Sequence, residues 1–230
     1  MRKIILAAVT AAATMGFGVA SAQVEEVVVT GSRVPDYEGA PHIVLIKRAD
    51  HLITEVHVLC DTRDDKQRLE EMKATLRGML RAAASSKTIS LGHGDAIVGD
   101  VTEASLEDMI VPDSRPDSSR VELIVKTTVS KDDTFEAATG RIKDFLAAVT
   151  RVGRTEVRRG DRWDLTIIGP EQYRDALITQ IVADARHNAE LFGTANGIAV
   201  DGLEQPVAWY QKDPLDLALY VPYKLHIAPR

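Results

Sequence analysis

Two stretches in which a period-two strand runs straight into a helical stripe limit this chain to a mixed fold. Residues 53–60 alternate, with Val56, Val58 and Cys60 on one face and Glu55 and His57 on the other, as a half-buried strand does. A helix is expected next, because Leu69, Met72, Leu76, Met79 and Leu80 recur at helical spacing. Asp61 or Thr62 is placed to cap it, and Asp64 and Asp65 suit the positive end of its dipole. The unit then recurs. Residues 121–129 read as a strand, and Asp132 or Asp133 opens a helix with Phe135, Ala138, Ile142, Phe145, Leu146 and Val149 along one side. Between the units, residues 84–119 are irregular, with a short strand near 88–91 and a surface loop at 112–119.

Beyond the second helix, residues 155–158 and 163–168 read as two short strands joined at Gly160-Asp161 in hairpin fashion. Pro170 opens a third helix, with Tyr173, Leu177, Ile181, Ala185 and Phe192 as its stripe and Gly193 or Asn196-Gly197 as its end. Two closing strands follow at about 198–210 and 217–227. Strand–helix units with paired strands between them predict the α+β class, with helices packed on a largely antiparallel sheet.

The N-terminus carries an export signal. Arg2 and Lys3 precede an apolar stretch, and Ala20-Ser21-Ala22 reads as a cleavage site ahead of Gln23. Residues 1–22 are thus expected to be a signal peptide cleaved after Ala22, which directs the protein to the periplasm, with peripheral contact to the outer membrane an option. Residues 23–41 read as an extended segment and linker, and residues 42–230 as the folded domain. The chain has 28 Lys+Arg against 34 Asp+Glu, so losing Arg2 and Lys3 leaves 26 against 34 and a mature charge of −8. That acidity excludes a protein whose main task is to grip a nucleic-acid backbone. A single cysteine, Cys60, rules out an internal disulfide and a cysteine-based zinc site, and its place at the end of an apolar strand reads as a buried, inert thiol.

Two resemblances follow from particular residues. The run Glu25-Glu26-Val27-Val28-Val29-Thr30-Gly31-Ser32-Arg33 resembles the stretch after the signal peptide in TonB-dependent outer-membrane receptors. This resemblance implies a TonB-linked accessory module in which Val27, Val28, Val29 and Thr30 add as a strand to a partner's sheet; a simple edge strand or tail is the plainer reading. The order of two strand–helix halves, then Gly169-Pro170-Glu171-Gln172-Tyr173-Arg174-Asp175-Ala176-Leu177, Ala183-Asp184-Ala185-Arg186 and Ala189-Glu190, resembles the SIMPL domain of exported bacterial proteins of the periplasmic immunogenic or oxidative-stress-defence type. The N-terminal half departs from that pattern, with Arg48-Ala49-Asp50-His51 where Pro-Asp is usual. The resemblance implies a non-enzymatic envelope protein that acts through protein contacts or as a homo-oligomer, and supplies no shared catalytic residues.

The residues themselves single out no catalytic, cofactor-binding or metal-binding set. His42, His51, His57, His93, His187 and His226 form no H-E-x-x-H motif. His57 shares a face with Glu55 and has His51 nearby, but without a third ligand these read as solvated side chains. Leu91-Gly92-His93-Gly94-Asp95 reads as a glycine-rich turn, with a metal or acid–base role for His57, His93 or Asp95 as the alternative. There is no G-x-S-x-G elbow. The cluster Arg151, Arg154, Arg158, Arg159 and Arg162 is a candidate patch for an anionic partner, although Glu156, Asp161 and Asp164 interrupt it and a charged hairpin edge also deters sheet-to-sheet association.

Overall fold

The structure is a computed structural model that describes residues 25–29, 42–192 and 196–229. The signal peptide expected at 1–22, most of the segment and linker expected at 23–41, and Gly193 as an expected helix stop lie outside these residues. In chain order the elements are β1 (Glu26–Val29), β2 (Leu45–Arg48), β3 (His51–Cys60), α1 (Asp65–Ser85), β4 (Ile89–His93), β5 (Gly99–Asp100), α2 (Leu106–Met109), β6 (Val111–Pro112) and β7 (Ser119–Thr128). They continue with α3 (Phe135–Ala148), β8 (Thr155–Arg159), β9 (Asp164–Ile168), α4 (Arg174–Phe192), β10 (Asn196–Asp201), β11 (Ala208–Asp213), β12 (Asp216–Tyr220) and β13 (Lys224–Pro229).

The two strand–helix units interlock. β3 and β7 pair antiparallel over ten residues each, from His51 opposite Thr128 to Cys60 opposite Ser119. β4 takes the other edge of β7 and β8 the other edge of β3, so β3-α1-β4 and β7-α3-β8 are two split βαβ units, each with its gap filled by a strand of the other. The expected α+β class with a largely antiparallel sheet is what forms. Val56, Val58, Cys60, Val121, Leu123 and Val125 point to one face, where Met72, Leu76 and Met79 of α1 and Ile142 of α3 cover them. Each large side chain buried there contributes about 1.5–3 kcal/mol, which is why the strand alternation and the helix stripes must face each other.

The expected hairpin at Gly160-Asp161 does not form. β8 and β9 lie one after the other along the same edge of β3, with Thr155 opposite Cys60 and Thr166 opposite His51. The chain bulges between them: Gly160 N–H donates to the Glu55 carbonyl at 2.8 Å, and Thr54 Oγ1 donates to the Arg162 carbonyl at 2.8 Å. A ten-residue strand offers more unpaired backbone groups than a short hairpin would satisfy.

β1 also differs from its expected place in a segment ahead of the folded domain. It pairs with β9, Glu26 opposite Ile168, and its other side meets the β4–β5 turn, where Val28 N–H donates to Ala96 O and Val98 N–H donates to Glu26 O. This closes the sheet almost into a barrel. A strand engaged on both edges has no free edge to offer a TonB-type partner unless it leaves the sheet.

Each closing strand is broken in two. β10 pairs with β13 and β11 with β12, while β12 takes β2 on its other edge. One break is at Gly202, φ 93°, where an added Cβ would come within 2.6 Å of the Pro222 carbonyl oxygen. A second core forms where Leu217, Leu219 and Val221 meet Leu165, Ile167, Leu177 and Ile181. The α4 stripe holds at Leu177, Ile181 and Ala185, but Phe192 is 60% exposed rather than part of the core. No helix among the described residues is long and apolar enough to cross a membrane.

The caps fall later than expected because the earlier candidates bind elsewhere. Asp64 caps α1, accepting from Gln67 N–H at 2.9 Å, while Thr62 bonds Glu71 and Asp61 pairs with Arg154. Thr134 caps α3, and Asp133 instead accepts from both ends of the Arg141 guanidinium at 2.8 Å, which holds its carboxyl well below the usual carboxylate range. Asp64→Ala is therefore expected to lower stability by about 1 kcal/mol in urea titration, and Asp61→Ala, which breaks only an exposed pair, by less.

Candidate functional site

The sheet face turned away from α1 and α3 is set by the same alternation that builds the core. On β3 it presents His51, Ile53, Glu55 and His57; on β7 the residues opposite are Thr128, Lys126, Ile124 and Glu122. Closure by β1 makes this face concave and divides it into a buried end and an open end.

At the buried end Glu26 sits among three donors. Lys126 Nζ donates to its Oε2 at 2.7 Å, Thr166 Oγ1 to its Oε1 at 2.6 Å, and His51 Nδ1 lies 2.7 Å from Oε1. The Lys126 side chain is 5% exposed. Burial pushes the Glu26 carboxyl up, but hydrogen bonds from His51, Lys126 and Thr166 outweigh it and hold the group at about 2. His51, expected in solvent beside His57, is instead a ligand of this carboxylate.

The open end is a groove of about 760 Å³, within the range of ligand sites. Val28, Ile53 and Ile124 give it an apolar base. Around that base stand Glu55, His57 and Glu122 from the central strands, His93 and Asp95 from the end of β4, Asp108 from α2, and Asp161, Arg162 and Asp164 from the bulge. The expected turn is present at Gly94, φ 111°, and it carries His93 and Asp95 to the groove. The lining holds six carboxylates (Glu55, Asp95, Asp108, Glu122, Asp161, Asp164) against two guanidiniums (Arg120, Arg162). A concave surface with this imbalance focuses a negative potential and concentrates cations.

The five arginines do not come together as one cationic patch. Arg154 makes a two-bond pair with Asp61 at 2.6 and 2.8 Å, Arg158 pairs with Glu156, and Arg162 lies 3.4 Å from Asp164. Arg159 stacks over Trp163, 4.8 Å from the ring centre. Arg151 is exposed in the loop before β8, and β8 itself separates Arg154 from Arg162. Cys60 is buried, its thiol donating to Glu71 at 3.4 Å.

Glu26, Lys126 and Glu122 went unmarked in the sequence. The alternation Arg120, Glu122, Lys126 does show Glu122 and Lys126 on one strand face, but Glu122 meets His57 and Lys126 meets Glu26 only through pairings of segments 65 and 100 residues apart. Set beside known proteins, the chain matches no family model, no curated protein and no solved structure.

Proposed function

We propose that the protein is an exported, non-enzymatic envelope protein of the SIMPL type, and that it works by holding a basic segment of a partner protein in the acidic groove. The observation that carries this reading is the excess of carboxylates around an apolar base in a concave face. Lysine and arginine side chains suit such a surface, because their stems lie on apolar atoms while their heads meet carboxylates. The leader-like N-terminus and the SIMPL-like order of halves support the envelope setting.

Titration with a labelled lysine-rich peptide and a glutamate-rich counterpart tests the groove. The basic peptide is expected to bind preferentially and to weaken as salt rises. Asp108→Arg with Asp161→Arg should reduce its affinity roughly tenfold or more, whereas Glu190→Arg on the exposed side of α4 should not. Equal binding of both peptides, or indifference to the groove reversal, would overturn the reading.

A further inference from the structure

We infer that Glu55, His57 and Glu122 form a site for one divalent transition-metal ion at the wall of the groove. Glu55 and His57 are two apart on β3 and so share a face; Glu122 lies directly opposite His57 on β7. Their ligand atoms all fall within 4.8 Å of one another, and His57 Nε2 is 3.9 Å from Glu55 Oε1. An ion with bonds of about 2.0–2.1 Å needs neighbouring ligand atoms about 3.3 Å apart. Closing that gap takes only side-chain rotation, and side chains that are 36% to 56% exposed are free to rotate.

The scaffold is suited to the task. All three residues stand on the two central strands of the sheet, paired without a break over their full length, so their backbone spacing is fixed before any ion arrives. Arg120 Nη1 lies 3.4 Å from Glu122 Oε1, an outer contact for that ligand, and the Gly160 N–H bond to the Glu55 carbonyl fixes the main chain from which the Glu55 side chain projects. Charge points the same way. Two carboxylates set this close repel each other, a divalent cation cancels that repulsion, and the surrounding acidic lining attracts the cation.

The donor set selects the class of metal. One imidazole with two carboxylates suits zinc and its first-row divalent neighbours, and is a poor match for calcium or magnesium, which take oxygen ligands, or for copper(I), which prefers sulfur. Three protein ligands leave a coordination position that opens on the groove, where water or a ligand side chain fits. This inference is independent of the basic-peptide reading.

The test is calorimetric titration of zinc into the chain purified without an affinity tag, repeated with cobalt(II) to follow the visible spectrum. One equivalent should bind. His57→Ala and Glu122→Gln should each weaken binding by roughly tenfold or more and change the cobalt spectrum, and His93→Ala should do neither. Both positions are partly solvated, so thermal melts of the variants are expected to match the parent. Failure to bind at millimolar zinc, binding that survives His57→Ala or Glu122→Gln, or binding lost through His93→Ala would each overturn the assignment. Peptide binding in the absence of metal reads the other proposal separately.

Discussion

Lys126→Met is expected to cost about 3–5 kcal/mol of stability, far more than the loss of one surface charge, because it leaves the Glu26 carboxylate buried without its cation. The pair is 2.7 Å apart, with Glu26 and Lys126 side chains 10% and 5% exposed. Water is in no position to replace the ammonium. Glu26→Gln made alone leaves Lys126 only the longer contact to the exposed Asp100 carboxylate at 3.6 Å, and so is expected to cost less than Lys126→Met. The two changes together should recover most of the loss, since the amide oxygen at residue 26 still accepts from His51 and Thr166 and no charge is left unpaired. Denaturant titration of both single variants and the double variant gives the coupling. Single variants that each cost under about 1 kcal/mol would mean the pair is effectively solvated.

The effect also has a location. Glu26 is the first residue of β1, and its donors come from β3, β7 and β9, so the cluster ties the N-terminal strand to three others. Breaking it should loosen β1 first. Hydrogen exchange at the Val28 and Val98 amides, which bond across β1, is expected to speed up in Lys126→Met more than exchange in the paired centre of β3 and β7.

What could be read in the sequence was local. A strand with its helix is encoded in about thirty consecutive residues, so 53–60 followed by Met72, Leu76 and Met79 gave both elements and the face that packs. Pro170 marked the turn that leads into α4 for the same reason. Long-range registers carried no comparable signal. Gly160-Asp161 has the composition of a tight turn, and only the unfilled edge of β3 makes it a bulge. Lys126 looks like a solvated residue on the polar side of a strand until β1 covers it. Glu55 and His57 were visible as a pair, but Glu122 joins them through a pairing of residues 65 apart. The arginines were conspicuous by count, and their neutralisation by Asp61, Glu156 and Asp164 depends on side-chain geometry that spacing does not convey.

The second large effect is expected at Gly153. Its φ of 60° lies in the left-handed region, and a Cβ there would fall 2.0 Å from Glu71 Cδ and 2.3 Å from both carboxylate oxygens. A flexible carboxylate would simply move aside. This one is held: Thr62 Oγ1 donates to it at 2.6 Å, Gln67 Nε2 at 2.8 Å, Arg154 N–H at 3.1 Å and Cys60 Sγ at 3.4 Å. Gly153→Ala must therefore add backbone strain of about 1–2 kcal/mol to the loss of that cluster, and a total of at least about 3 kcal/mol is expected. Glu71→Ala removes the obstacle as well as the acceptor. In its background, Gly153→Ala should cost only the backbone strain, so the two losses will fall well short of additive. Additive losses would show that Glu71 is not what excludes a side chain at 153. Acid gives a third reading of the same contact. Hydrogen bonds from Thr62 and the Arg154 amide, opposed by burial and helped by Gln67 and Cys60, hold Glu71 at about 2 against an ordinary 4.5. A folded-state value below the unfolded one stabilises above about pH 4.5 and is lost as pH falls toward 2. Parent stability should drop across that window, and Glu71→Gln, which does not titrate, should be less stable at neutral pH but flatter below 4.5, with Glu26, Asp133 and the more exposed Asp61, Glu107 and Asp113, all held below their ordinary values, sharing the slope that remains.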